Sequence, residues 1–195
     1  MREQRRGRVI AMSAEEMGSF LAEQRTCRFA TSGPDGPHVS PVWFVWDGQA
    51  LWVYSLIRSQ RWANVSRDPR VAVVADDGHH YHELRGVEIE GEAAVVGPVP
   101  RPVGEALPEL ALPELALPEL ALPELALPEL ALPELALPEL AEPERLMAEK
   151  YFGPASMIHD GRHAWLRITP NKVVSWDFRK LASLPDRDPN EMETR

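Results

Sequence analysis

Residues 52–74, WVYSLIRSQRWANVSRDPRVAVV, decide how this chain folds. The run ending at Ser55 is rich in aromatic and β-branched residues and reads as a strand, and a second such run begins near Arg70. Between them Ser59 to Ser66 reads as a short helix, ended by the Asp68–Pro69 pair because a proline pushes the residue before it out of helical geometry. The junction gathers Arg58, Ser59, Gln60 and Arg61 where a helix start leaves backbone N–H groups unpaired. Arginine grips a phosphate through two parallel bonds, and the hydroxyls of Ser55 and Ser59 add donors. These residue types point to a bound phosphate; a solvated helix start with surface arginines is the other reading of the same residues.

Working outward, HVSPVWFVW (38–46) reads as one strand, with Pro41 marking an edge or a bulge. Asp47–Gly48 is a hairpin turn leading into the strand ALWVYS (50–55). Upstream, TCRFAT (26–31) is a strand and GPDGP (33–37) a tight turn. Ser13 and Glu16 stand at capping-box spacing, and Met17, Phe20 and Leu21 share one face, so a first helix opens at Ser13. Downstream, VAVVAD (71–76) and GVEIEGEAAVV (86–96) add two strands, and EPERLMAEKYF (142–152) is helical. HAWLRITP and KVVSWDF, residues 163–178, read as a closing hairpin with Asn171–Lys172 near its turn. About seven strands and three helices joined by short turns define a mainly β, α+β antiparallel architecture. Closing it into a barrel would remove the exposed sheet edges.

The pentapeptide ALPEL occurs seven times from Ala106 to Leu140 and then degrades to AEPER. Proline at every fifth position excludes a continuous α-helix. A pentapeptide β-helix is disfavoured, because proline stands two places before Leu110 and its equivalents, where those coils need a small residue. The repeat is read as an expanded surface insertion without chemistry, tolerable because loop-closure entropy grows only with the logarithm of length.

It also distorts the charge. The net charge is −9, but without the seven repeat glutamates 21 basic residues face 23 acidic ones, so nothing suggests a nucleic-acid partner. With 195 residues and 44 % hydrophobic side chains, one globular domain is expected over residues 13–181, flanked by tails at 1–12 and 182–195, with the repeat at 106–140 as an insertion. No apolar run approaches the roughly 20 residues of a membrane span. The Arg-rich N-terminus has no apolar core of a secretory signal, so a cytoplasmic location is expected. Met12 is a second candidate start. Cys27, the single cysteine, lies in a strand-like run and reads as a buried structural thiol.

In their order, PHVSPVWFVWDGQALWVYS (37–55), RSQRWANVSRDPRVAVV (58–74), VEIEGEAAVVG (87–97) and KYFGPASMIHDGRHAWLRITPNKVVSWDF (150–178) resemble one family. It is the pyridoxamine 5'-phosphate oxidase-like, FMN-binding split-barrel superfamily, and within it the branch that uses the deazaflavin coenzyme F-420. The resemblance implies a six-stranded antiparallel split β-barrel of Greek-key type with peripheral helices. It also implies a homodimer with cofactor at the subunit interface and a small-molecule substrate. Carried over by position, Ser55, Arg58, Ser59 and Arg61 would line the cofactor phosphate, although many relatives have lysine where Arg61 stands. Pro41, Val42 and Trp43 would run beside the ring system, and Trp62 and Asn64 would support the site. Trp176 and Phe178 would reach across the interface. Trp46 and Trp52 are read as core.

The activity implied is hydride transfer from coenzyme F-420 to an electron-poor double bond. An FMN-dependent oxidase or reductase, or a non-catalytic cofactor carrier, are the alternatives. The tail LASLPDRDPNEMETR (181–195) lacks the Arg-rich substrate motif associated with the B6 oxidase itself. No metal site is expected: His79, His80 and His82 sit in a turn without a nearby cysteine. His159 and His163 read as loop residues, and His38 as a candidate proton donor.

Overall fold

The computed structural model describes residues 7–100, 137–153, 157 and 159–183. Most of the ALPEL repeat and the tails at 1–6 and 184–195 lie outside the described residues.

Helix α1 (Ala14–Glu23) starts at the expected capping box: the Ser13 hydroxyl accepts from the Glu16 N–H, and the Glu16 carboxylate accepts from the Ser13 N–H. Phe20 and Leu21 from its apolar face are buried. Seven antiparallel strands follow: β1 (Cys27–Gly33), β2 (Gly36–Val42), β3 (Val45–Trp46), β4 (Leu51–Leu56), β5 (Arg70–Asp77), β6 (Arg85–Val96) and β7 (His163–Asp177). They form one sheet in the order β2-β1-β5-β6-β7-β4-β3. Its two edge strands are consecutive in sequence, joined only by Trp43 and Phe44. Three residue steps reach at most about 11 Å, so the sheet must roll until its edges nearly meet. The result is a barrel split between β2 and β3.

The strand count departs from six, and two elements differ from the sequence reading. HVSPVWFVW is not one strand, because the chain leaves the sheet at Trp43–Phe44 to cross the split. Residues 163–177 are not a hairpin. They form a single strand pairing with β6 along its whole length and with β4 at its start. Asn171 is the extra residue of a bulge, since Glu90 pairs with Lys172 while Gly91 pairs with Pro170. Pro170 has no N–H for the ladder, and a Cβ on Gly91 would lie 2.2 Å from the Thr169 carbonyl oxygen. These two residues permit the bend where a turn had been expected.

The end of the repeat also differs. Helix α3 (Pro138–Met147) begins inside the last ALPEL copy, so residues 138–140 belong to the domain rather than to the insertion. Pro138 occupies the first turn, where its missing N–H is harmless. Pro143 is buried within the helix. A π-helical turn, Ala148–Phe152, continues it.

The barrel interior is filled by Phe20, Phe29, Phe44, Val53, Ile89, Leu166 and their neighbours, with Trp46 packed against them. Cys27 is fully buried there, and burial pushes its thiol pKa up to about 12, as a structural thiol requires. A second cluster forms outside the barrel, where Leu140 and Met147 of α3 cover Trp52 and Trp165. Among the described residues no helix is long and apolar enough to cross a membrane.

Candidate functional site

Helix α2 (Gln60–Val65) is capped by Ser59, whose hydroxyl accepts from the Trp62 N–H and donates to the Leu56 carbonyl. This cap sends Arg61 and Asn64, three residues apart on one face, toward the barrel. Arg61 is only 9 % exposed. Its Nε and Nη2 donate to Ser55 Oγ at 3.3 and 3.2 Å, and its Nη1 donates to Ser40 Oγ at 2.6 Å. Among the described residues no carboxylate reaches it, and burial lowers its pKa. A guanidinium taken out of water and given only neutral hydroxyls is a cation without its anion.

The network continues along β2. Strand period puts His38, Ser40 and Val42 on one face. His38 lies opposite Thr31 in the β1–β2 ladder, and Asn64 Nδ2 donates to Thr31 Oγ1 at 3.0 Å. Asn64 Oδ1 also accepts from Gln60 Nε2. His38 Nδ1 is buried with no hydrogen-bond partner. Arg58 stands exposed at the helix start with no ion pair or hydrogen bond among the described residues.

Trp43, in the split, is 48 % exposed and stacks on Tyr151 at 4.5 Å with planes 11° apart. Tyr151 is fixed in turn. Its hydroxyl accepts the Phe44 N–H and lies within 2.8 Å of the carbonyls of Arg25 and Phe44. Burial raises its pKa to about 12. Beside it, Lys150 Nζ donates to the Leu21 and Phe44 carbonyls and sits 4.0 Å from the Phe44 ring centroid. Burial lowers that ammonium to about 8.

The expected site residues are thus only partly brought together. Ser55, Arg58, Ser59, Arg61, Trp62 and Asn64 converge around α2. Ser55 is wholly buried beneath the Arg61 guanidinium, and Asn64 is 1 % exposed. Pro41 and Val42 lead along β2 to Trp43 at the split. Trp176, expected to act across a subunit interface, lies far from α2 within its own chain. It packs over Gly86, where an added Cβ would come within 2.3 Å of the indole. It lies twelve residues along β7 from Ala164, the partner of Ser55, roughly 40 Å of extended strand. Phe178, next to it, meets Tyr81.

Sequence reasoning missed Ser40, although the β2 alternation places it on the His38 face. It also missed Lys150 and Tyr151, although Tyr151 continues the spacing of the buried Leu140, Pro143 and Met147. Among the described residues no three His, Cys, Asp or Glu side chains gather as a metal site.

The fold and these motifs agree with known proteins. A family described as pyridoxamine 5'-phosphate oxidase matches residues 13–107. The conserved hypothetical protein Rv2991 from Mycobacterium tuberculosis is 30 % identical, with 96 % of each chain covered and a TM-score of 0.63. A putative pyridoxamine 5'-phosphate oxidase from Listeria innocua shares the fold at 14 % identity, with 84 % of this chain and 98 % of that one covered and a TM-score of 0.53. So does a FAD-binding protein from Mesorhizobium loti, at 14 % identity, 85 % and 94 % coverage and a TM-score of 0.52. No curated protein matches. The chain belongs to the pyridoxamine 5'-phosphate oxidase-like split-barrel superfamily, a family that includes oxidoreductases.

Proposed function

We propose that the chain is an oxidoreductase that binds a phosphate-bearing deazaflavin of the F-420 type and reduces an electron-poor double bond of a small organic molecule. The observation that carries this reading is Arg61, a buried guanidinium whose only hydrogen-bond partners among the described residues are Ser40 and Ser55 hydroxyls. A phosphate is the anion such a cation lacks, and Arg58, exposed and without an ion pair among the described residues, supplies a second positive charge at the mouth. Ser55 then braces Arg61 rather than meeting the phosphate itself. Ser59, committed to its cap, holds the loop in shape.

Bound coenzyme would supply the hydride; the protein orients it and sets its electrostatics. Trp43, held flat against Tyr151 at the split, offers the aromatic face beside which the ring system would lie. Deazaflavin is preferred over FMN because the order of motifs through residues 37–178 resembles that branch of the superfamily. A homodimer is part of the proposal. The outward side of β2, with Val39 62 % exposed between Pro37 and Pro41, presents an apolar row for a second copy.

The test is a fluorescence titration of the full chain with coenzyme F-420 and, separately, with FMN. Saturable binding of the deazaflavin at micromolar concentration with weaker FMN binding is expected. Preference for FMN would replace the cofactor and keep the site. Binding of neither would refute the reading. Tight deazaflavin binding without hydride transfer to any of a broad acceptor panel would make the chain a carrier.

A further inference from the structure

Tyr54 and Ser55 point to opposite sides of β4. Ser55 meets Arg61, whereas Tyr54 stands beside two cavities, of about 360 and 250 Å³, that share Tyr54 and His163 in their walls. The larger runs past Trp165 and Leu140 to the exposed Val99 and Leu137. The smaller ends at Trp43, Phe152 and Met157, beside the proposed cofactor position. Neither wall is wholly apolar: Glu144 and His159 line the larger cavity, and Asp160 the smaller.

These polar groups are paired, and the pairing leaves one nitrogen over. His159 Nε2 faces Glu144 at 3.6 Å. His163, which opens β7 rather than lying in a loop, meets the Asp160 carboxylate through Nδ1 at 2.7 Å. That bond, with help from the Arg162 N–H and guanidinium, holds the Asp160 pKa down at about 2, so the group is a carboxylate that can only accept. Nδ1 therefore carries a proton, and in the neutral ring Nε2 bears the lone pair. The buried unpaired side-chain atoms among the described residues are His38 Nδ1, Trp165 Nε1 and Arg167 Nε. His163 Nε2, also without a hydrogen-bond partner among the described residues, is not one of them, so it keeps accessible surface. Tyr54 stacks on one face of the ring at 5.1 Å, and Asp160 covers the Nδ1 edge. The other face and the Nε2 edge are what the ring has left to present to the cavities.

We propose that His163 is an acid–base residue of a ligand site in these cavities, and that the ligand is a flat molecule of about two rings whose phenol or enol hydroxyl donates to Nε2. The aromatic rings of Tyr54, Trp43 and Phe152 supply flat walls. An imidazole oriented by a carboxylate is suited to exchanging a proton at its far nitrogen. The inference rests on the proposed activity for its reaction, but not for the binding. When that reaction adds a hydride to the far carbon of a conjugated carbonyl, the π electrons move onto the carbonyl oxygen. The Nε2–H of the His163 imidazolium gives its proton to that oxygen, forming the enol O–H and leaving the neutral ring. The ring regains a proton from water through the larger cavity.

Two probes of similar shape test the binding: 2-naphthol, which has the hydroxyl, and 2-methoxynaphthalene, which keeps the oxygen without the proton. Isothermal titration calorimetry of the full chain without cofactor, at about pH 8 where imidazole is neutral, is expected to show the naphthol binding about ten-fold more tightly. A long-range proton–nitrogen NMR spectrum is expected to show His163 protonated at Nδ1 and bare at Nε2, with the Nε2 signal moved by the naphthol and not by the ether. His163→Phe keeps a ring on Tyr54 and removes Nε2. It is expected to erase the preference and leave the ether's affinity unchanged, which also reports that the variant is folded. A preference that survives in His163→Phe would give the hydroxyl to Glu144 and overturn the proposal. So would equal affinities in the native chain, the opposite tautomer, or no saturable binding of either probe. A chain that shows the hydroxyl preference but binds no deazaflavin refutes the redox reading and leaves this site standing; one that binds deazaflavin without the preference refutes this inference alone.

Discussion

Replacing Arg61 by methionine separates what this residue does for the fold from what it does for a ligand. In the free protein the change removes three hydrogen bonds from a charged donor to two neutral hydroxyls. It also removes a cation whose desolvation costs several kcal/mol with no carboxylate among the described residues to offset it. The methionine stem keeps most of the packing against Phe29, whose ring centroid lies 5.8 Å from the guanidinium. The two terms oppose each other, so the stability of the free protein is expected to change by no more than about 1 kcal/mol. Binding has no such compensation. Losing two charge-assisted bonds to a phosphate, at about 1.5 kcal/mol each, raises Kd about 150-fold. The assay is a double-mutant cycle by fluorescence titration: native and Arg61→Met chains, each with the coenzyme and with its phosphate-free deazaflavin core. The phosphate-free core is expected to bind both chains equally. Equal loss of affinity for coenzyme and core, or urea unfolding showing more than about 3 kcal/mol of destabilisation with unchanged binding, would refute the phosphate assignment.

Three further outcomes follow from the geometry. Lys150 titrates at about 8 in the fold against an ordinary 10.5, so above about pH 8 the unfolded chain holds the extra proton and stability rises with pH. Cys27, raised from 9.0 to about 12, and Tyr151, raised from 10.0 to about 12, reverse this above about pH 9, because there the folded chain holds the extra protons. Urea midpoints from pH 7 to 11 are expected to peak near pH 9, and a steady decline from pH 7 would contradict the burial of Lys150. Gly91→Ala drives a methyl into the Thr169 carbonyl at the β7 bulge and is expected to destabilise the fold by about 3 kcal/mol; a loss below about 0.5 kcal/mol would show that the bulge yields freely. Ser13→Ala breaks the capping box of α1 and is expected to cost about 1 kcal/mol in the same assay, with cofactor affinity unchanged.

Much of this fold is legible because its signals are local. The capping box at Ser13 and Glu16 and the Asp47–Gly48 turn each involve residues within a few positions of one another, and each stands as read. The failures are places where long-range geometry overrides a local signal. HVSPVWFVW alternates like one strand, yet Trp43 and Phe44 must leave the sheet to bridge the split. Asn171–Lys172 looks like a turn, yet Gly91, eighty residues earlier, lets the strand pass through as a bulge.

The sequence by itself determined the element types, the antiparallel class and the cluster of arginine and serine beside α2, because propensity, capping and period act over a single turn or strand. Only the tertiary structure decided which of those side chains is buried and which is free. The Arg61 bond to Ser40 spans 21 residues, and the Phe44–Tyr151 contact that sets Trp43 spans 107. Neither exists until the sheet has rolled its two edges together. The same closure turns Ser55 inward to the guanidinium and Tyr54 outward to the aromatic cavity, because successive residues of a strand face opposite sides and the barrel makes one of those sides its interior.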